Sequence, residues 1–430
     1  MSGQGACSMK GKNPIITSIY TADPSAHVWQ DGKIYIYASH DMDPPRGCDL
    51  MDRYHVFSSD DMVNWVDEGE ILRSDDVPWG RPEGGFMWAP DCAYRNGTYY
   101  FYYPHPSGSD WNDTWKIGVA TSDKPASGFV DRGYIEGLGG FAMIDPCVFM
   151  DDDGRAYMYY GGGGVCHGGE LNDDMMSVKG EMADMIGLED FHEAAWTFKR
   201  DGVYYLTYAD NLHDNNRMRY ATSEHPLGPW TYRGIFLEPT GCSTTHGSVV
   251  EHKGQWYLFY HNQAISGMGN LRSVCIDELH FDEDGAIRTV RQTEEGVRAV
   301  QTDAAKENAR AFYPAEGCGT FGDAAVVAAE EGVFAVVGLE GASSGCEFRE
   351  VDGGRGGRAN LAVRYTTRER LAKLRLFVNG ADDSLLNALR AEGGHTSLTV
   401  RLKAGAVNTV KLEGGHGDVR IEGLSVEWLD

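Results

Sequence analysis

Asp145-Pro-Cys-Val-Phe-Met-Asp-Asp-Asp-Gly-Arg-Ala-Tyr-Met-Tyr-Tyr160 opens on an acidic residue, alternates for a few positions, turns at a glycine and closes on an aromatic run. Alternation with a period of two, broken by Asp-Gly or Asn-Gly, reads as a β-hairpin, because those dipeptides accept the positive φ of tight primed turns. The same plan recurs in Asp23-Pro-Ser-Ala-His-Val-Trp-Gln-Asp-Gly-Lys-Ile-Tyr-Ile-Tyr37 and Asp91-Cys-Ala-Tyr-Arg-Asn-Gly-Thr-Tyr-Tyr-Phe-Tyr-Tyr103. It returns in Glu193-Ala-Ala-Trp-Thr-Phe-Lys-Arg-Asp-Gly-Val-Tyr-Tyr-Leu-Thr-Tyr208 and His246-Gly-Ser-Val-Val-Glu-His-Lys-Gly-Gln-Trp-Tyr-Leu-Phe-Tyr260.

A second element follows several of these hairpins: Val56-Phe-Ser-Ser-Asp, Val119-Ala-Thr-Ser-Asp and Tyr220-Ala-Thr-Ser-Glu lead through turns to Trp65, Phe129 and Trp230. Four strands in each of five repeats match the blades of a propeller, which by closing on itself leaves few sheet edges exposed. A jelly roll or large sandwich is the alternative, but neither explains five equally spaced hairpins. In a propeller the residues that open the first strands converge at one end of the central channel. Asp23, Asp91, Asp145, Glu193 and His246 hold those positions.

Beyond residue 300 the texture changes: Trp428 is the last tryptophan, and small and charged residues fill Val300 to Glu316. Alternating runs such as Leu374-Arg-Leu-Phe-Val-Asn-Gly and Val419-Arg-Ile-Glu-Gly-Leu-Ser-Val then suit a β-sandwich. The expected architecture is therefore all-β, a five-bladed β-propeller over 1–300 followed by a smaller sandwich over 301–430.

Composition narrows the function. The chain has 430 residues and a formal net charge of −26, a field that repels nucleic-acid phosphates and anionic membrane surfaces. A neutral saccharide is the natural substrate, with neither nucleic acid nor membrane as partner; oligomeric state stays open. The 9 cysteines, Cys7 and Cys48 among them, are an odd number without CxxC pairs, which reads as reduced thiols of a cytoplasmic protein. Met1 to Lys10 lacks an apolar core of signal-peptide length; a trimmed lipoprotein cysteine at Cys7 is the competing reading.

Inverting hydrolysis of a glycoside needs one carboxylate to activate water and one carboxylic acid to protonate the leaving oxygen. Asp23, Asp145 and Glu193 open three different blades among apolar neighbours, where burial and mutual repulsion keep one group protonated. Any one of them alone reads equally as the cap of a turn. Taken together, Thr21-Ala-Asp-Pro-Ser-Ala-His-Val-Trp, Trp88-Ala-Pro-Asp, Ile144-Asp-Pro-Cys-Val-Phe, His192-Glu-Ala-Ala-Trp and Thr245-His-Gly-Ser resemble glycoside hydrolase family 43.

That resemblance implies Asp23 as general base, Glu193 as general acid and Asp145 as the residue that orients Glu193 and tunes its pKa. It also implies a channel that often carries calcium held largely through water, with His246 either ligating the metal or hydrogen-bonding the sugar. Arg272 resembles an arginine directed at a sugar hydroxyl, and its charge would steady an ionised base; an ordinary surface arginine in a strand is the competing reading. The expected substrates are terminal β-D-xylose or α-L-arabinofuranose units; an endo-arabinanase and a non-catalytic sugar-binding propeller are the alternatives.

Trp88, with Phe86 before it, offers a flat face for the C–H side of a sugar, although Phe86 reads equally as a core aromatic. Trp111 and Trp115 either border the mouth or pack in the core. The Asp151-Asp-Asp-Gly run serves as a hairpin turn, since it lacks the other ligands of a calcium loop. The C-terminal sandwich resembles carbohydrate-binding module family 6 at Arg364-Tyr, Val378-Asn-Gly and Ala404-Gly-Ala-Val-Asn-Thr-Val. It shows no exposed sugar-stacking tryptophans, so a structural or pocket-edge role is expected of it.

Overall fold

The computed structural model describes residues 11–42, 50–211, 216–300, 310–328, 334–339, 341 and 343–429; Cys7 and Cys48 lie outside them. The chain divides into two compact units, Met1–Val63 with Glu68–Val300, and Asn64–Asp67 with Gln301–Asp430.

The first unit is a five-bladed propeller. Blade 1 holds β1 (Thr21–Val28), β2 (Ile34–His40), β3 (Arg53–Ser59) and β4 (Val66–Arg73), and blade 2 holds β5 (Asp91–Arg95), β6 (Thr98–Pro106), β7 (Trp115–Ser122) and β8 (Val130–Tyr134). Blade 3 is β9 (Cys147–Met150), β10 (Ala156–Tyr160), β11 (His167–Leu171) and β12 (Val178–Asp184). Blade 4 is β13 (Glu193–Arg200), β14 (Val203–Ala209), β15 (Met218–Ser223) and β16 (Thr231–Leu237). Blade 5 has three strands rather than the expected four, β17 (Ser248–His252), β18 (Gln255–Asn262) and β19 (Ser273–Leu279). Its outer side is taken by the N-terminal segment: Ile15 N–H donates to Val274 O (2.8 Å) and Thr21 N–H to Arg272 O (2.8 Å). The ring is thus closed by the start of the chain.

Turn chemistry explains the hairpins. Asn96-Gly97, Asp201-Gly202 and Lys253-Gly254 each have both residues at positive φ, between 51° and 86°, as a two-residue turn between right-twisted strands requires. At the other end of each hairpin, Tyr37, Tyr103, Tyr160, Tyr208 and Tyr260 close the five repeats, and all are fully buried. Each ring contributes about 1.5–3 kcal/mol of apolar burial, and each hydroxyl finds an acceptor, as a buried phenol must. Those acceptors are Pro125 O, the Asp131 carboxylate, Gly139 O, Glu189 O and Asp277 Oδ2. The Asp151 turn is present, with Gly154 N–H donating to Asp151 O (2.9 Å).

In the second unit one antiparallel sheet of nine strands folds over a single apolar core that includes Val363, Leu376, Leu412 and Leu424. The strand Gly357–Val378 pairs with Arg420–Trp428 along its first half and with Asn408–His416 along its second. It thereby belongs to both layers of a β-sandwich.

Candidate active site

The first strands and the ends of the second strands meet at one mouth of the propeller, because each hairpin returns the chain to where it began. Ala22 pairs with Ser39, and Glu193 with Ala209. Two of the acids occupy strained backbone: Asp23 (φ 52°) and Asp145 (φ 53°), each followed by proline, and Ala194 after Glu193 has φ 65°. Register slips between Ala22 and Ser25 and between Glu193 and Trp196. Such bulges re-aim side chains, and non-glycine residues at positive φ concentrate at functional sites. Here they turn Asp23 and Glu193 out of the alternating pattern and into the channel.

Asp23 is held as a carboxylate. Its Oδ1 accepts from Arg272 Nη1 (2.9 Å) and its Oδ2 from Ser39 Oγ (3.0 Å). Burial pushes its pKa up, but the Arg272 charge, joined by the Ser39 hydrogen bond, outweighs burial and holds it below the ordinary carboxylate value. His261 lies beneath it as a neutral ring: Nδ1 accepts the Asp23 N–H (3.1 Å) and Nε2 donates to Thr244 O (2.9 Å). Burial, then the Arg272 charge, push its pKa down to about 4.

Glu193 and Asp145 are pushed the other way. Burial and the charge of Asp23 raise the pKa of Glu193 against the opposing pull of His192, Asn211 and Arg272. Burial, then Glu193 and Asp23, raise Asp145. Two buried carboxyl groups that repel each other titrate as a pair and keep a proton between them. Asp145 Oδ2 accepts the N–H of Ala194 (2.8 Å), so it fixes the backbone beside Glu193. Asn211 Nδ2 donates to Glu193 Oε1 (3.0 Å), while Glu193 Oε2 faces His192 Nε2 at 3.6 Å. The mouth therefore sets one acid, Asp23, whose ionised form is favoured beside a pair, Glu193 and Asp145, whose protonated forms are favoured.

Arg272, expected to reach a sugar hydroxyl, is instead spent within the protein. Its Nε and Nη2 clamp both oxygens of the buried Asp41 at 2.9 Å each, its backbone N–H reaches Asp41 Oδ2 (2.7 Å), and Nη1 also donates to Thr244 Oγ1 (2.8 Å). Asp91 is likewise structural: it accepts from Ser25 Oγ (2.7 Å) and Val148 N–H (2.6 Å) and meets His27 Nε2 at 2.7 Å, which ties blades 1, 2 and 3 together.

Of the two readings of Phe86, sugar platform or core aromatic, the structure shows the core one. Phe86 is only 4% exposed, with Trp111 stacked at 5.6 Å and the Arg81 guanidinium 5.0 Å from its centroid. Both are interactions of an aromatic face, so Phe86 is the centre of a small core with Trp115 and Ile144. Trp88 packs on Trp115 (4.4 Å) and stays partly exposed; its carbonyl accepts from Tyr54 OH (2.6 Å), a hydroxyl within the fields of Asp23 and Asp145. The Trp111 stack also joins the loops Pro78–Met87 and Pro104–Trp115 into one wall of the mouth.

His246 is buried, with Nδ1 3.7 Å from Asp145 Oδ2, and burial lowers its pKa, which keeps the ring neutral. Calcium takes about six to eight oxygen ligands. Among the described residues no group of three or more His, Cys, Asp or Glu side chains is arranged to hold a metal ion, so these side chains do not fit a protein-built calcium cage.

Asp41, Asn211 and His261 were not singled out from sequence. A signal for them exists: each stands at or just beyond the end of a blade's second strand, and the hairpin register places such residues beside the opening acids.

Comparison with known proteins agrees with this geometry. Residues 11–287 match the sequence family of glycosyl hydrolases family 43. The chain is 38% identical over 333 residues to xylosidase/arabinosidase 43A of Humicola insolens, covering 64% of this chain and 98% of that one. A family 43 β-xylosidase/α-arabinofuranosidase from a compost microbial metagenome, solved with xylotriose in a calcium-free form, aligns at 36% identity with a TM-score of 0.60, over 66% of this chain and 98% of that one. An arabinoxylan arabinofuranohydrolase of Bacillus subtilis, solved with cellotetraose, aligns at 26% identity with a TM-score of 0.60, over 97% of this chain and 98% of that one.

Proposed function

The chain belongs to glycosyl hydrolase family 43, and from that premise we propose that it removes terminal β-D-xylose or α-L-arabinofuranose units from xylan- or arabinoxylan-derived oligosaccharides, with inversion. Asp23 acts as general base: it takes a proton from a water whose oxygen attacks the anomeric carbon. Glu193 acts as general acid: its proton passes to the glycosidic oxygen as the bond to the anomeric carbon breaks. Asp145 positions Glu193 through the Ala194 N–H and favours its protonated form. The observation that carries this reading is the split of the acids, Asp23 held ionised by Arg272 while Glu193 is pushed up by burial and by Asp23; inverting hydrolysis requires that division of labour.

The wall built by Phe86 and Trp111 favours a pocket over an open groove, and with it release of single terminal sugars. Trp88 is the platform for the apolar face of that sugar, and His246 a hydrogen-bonding neighbour. Calcium enters this proposal only as an ion held by water with His246 as its one protein donor. When bound it would add positive charge at the channel, and none of the proton movements above runs through it. A cytoplasmic location, in keeping with the free thiols of the seven described cysteines, belongs to the same proposal.

The test is anomeric NMR of the products from xylobiose and from arabinoxylan oligosaccharides. A monomeric pentose of inverted configuration is expected. A retained configuration, longer products, or binding without release would each refute the reading.

A further inference from the structure

The glycosidase reading leaves open where the leaving group sits, and the two oxygens of Glu193 are not equivalent. Oε1 accepts from Asn211 Nδ2 at 3.0 Å, which favours the carbonyl form of that oxygen. The acid proton then belongs on Oε2, the oxygen that faces His192. A glycosidic oxygen receiving this proton lies on the His192 side of the carboxyl, and the remainder of the substrate must extend beyond it.

What lies on that side is an exposed strip of the mouth. His192 is 41% exposed at its side chain, and its carbonyl accepts from Gly164 N–H (3.4 Å). Gly164 belongs to the turn Gly161–Val165 between β10 and β11, where Gly161, Gly163 and Gly164 all have positive φ. Without side chains this turn is a low shelf. Phe141 stands on it: a Cβ added to Gly163 would come within 3.2 Å of the Phe141 ring. That ring is 71% exposed. Its backbone is not a free loop tip, because Ala142 bridges to Gly162 and Gly161 N–H donates to Ile144 O (2.9 Å), the residue before Asp145. The backbone that follows Phe141 is therefore tied to the segment that leads into Asp145.

We propose that Phe141, which stands against Gly163 on the turn whose next residue, Gly164, donates its N–H to the His192 carbonyl, forms the leaving-group subsite and selects a neutral sugar ring there. A pyranose presents an apolar C–H face to the phenyl ring, while its hydroxyls meet the imidazole of His192. Phe141 touches neither the terminal sugar nor the acids, so it governs which glycosides are cleaved and leaves the bond-breaking step unchanged.

The experiment compares Phe141→Ala with the wild type on two substrates that share the terminal pentose. One is xylobiose, or an arabinofuranosyl-xylo-oligosaccharide where that is the better substrate. The other is the corresponding glycosyl fluoride, whose leaving group has no ring. The expected result is a loss of about tenfold in kcat/KM on the oligosaccharide, less than about twofold on the fluoride, and recovery in Phe141→Trp. Equal losses on both substrates, or none on either, overturn the subsite while the wild type's activity upholds the glycosidase reading. A wild type that cleaves neither substrate overturns that reading and the subsite with it. Because the ring is exposed, the thermal midpoint of Phe141→Ala should match the wild type, and a lowered midpoint with parallel losses counts against the subsite.

Discussion

Replacing Arg272 with glutamine tests the electrostatics of the site most directly. Arg272 Nη1 stands 2.9 Å from Asp23 Oδ1, and at an effective dielectric constant of 20 that contact is worth about 6 kcal/mol. Most of it is offset, because Asp41 holds the opposite edge of the same guanidinium at 2.9 Å and returns a negative charge to the neighbourhood. The net effect of such a partner on a carboxylate is about one to three pKa units. Removing Arg272 also leaves Asp23 and Asp41 buried without their shared cation, which favours a proton on one of them. Asp23 must be ionised to accept a proton from water, so the acid limb of kcat/KM against pH should move up by at least about one unit. Arg272 is the weakest of the named influences on Glu193, so the alkaline limb should move less. The assay is a pH profile from about pH 3 to about pH 9 with a chromogenic pentoside. Arg272→Lys, which keeps the charge but loses the two-point clamp on Asp41, should shift the acid limb by a smaller amount. A uniform drop in rate with both limbs in place would refute the idea that Arg272 keeps the base ionised.

Glu193→Ala should lower kcat on xylobiose by about 10²- to 10⁴-fold and on a glycosyl fluoride far less, as steady-state rates on the two will show; equal losses would remove Glu193 from the acid role. Wild-type kcat/KM should be bell-shaped, lost toward acid as Asp23, whose pKa is lowered, takes up a proton, and toward alkali as Glu193, whose pKa is raised, gives one up; a profile without an alkaline limb would count against a titrating acid. Asp91→Ala strands the buried Val148 N–H and two further partners, and should cost about 3 kcal/mol in denaturant unfolding; an unchanged midpoint would show that the three blades do not depend on it. Chelation of divalent ions removes the water-held ion proposed beside His246, so kcat/KM should fall and be restored by added calcium; a rate unmoved by chelation would take the ion out of the proposal.

The five hairpins were legible from sequence because their determinants are local. Asn96-Gly97 and Asp201-Gly202 adopt positive φ for reasons carried by those residues alone, and the closing tyrosines recur at one position in every repeat. Repetition also marked Asp23, Asp145 and Glu193 as a set, since a ring of blades brings the openings of its first strands to one place. The bulges that turn Asp23 and Glu193 inward were not legible, because register is a property of two paired strands. Nor was the burial of Phe86: whether an aromatic ring packs or waits for a sugar depends on which loops fold over it, here those bearing Arg81 and Trp111. Asp41 and Arg272 are 231 residues apart, and nothing along the chain joins them. Composition, turns and periodicity thus determined a propeller and its ring of acids, whereas the protonation of each acid was decided by charges that only the closed fold brings within a few ångströms, where a low dielectric makes them count.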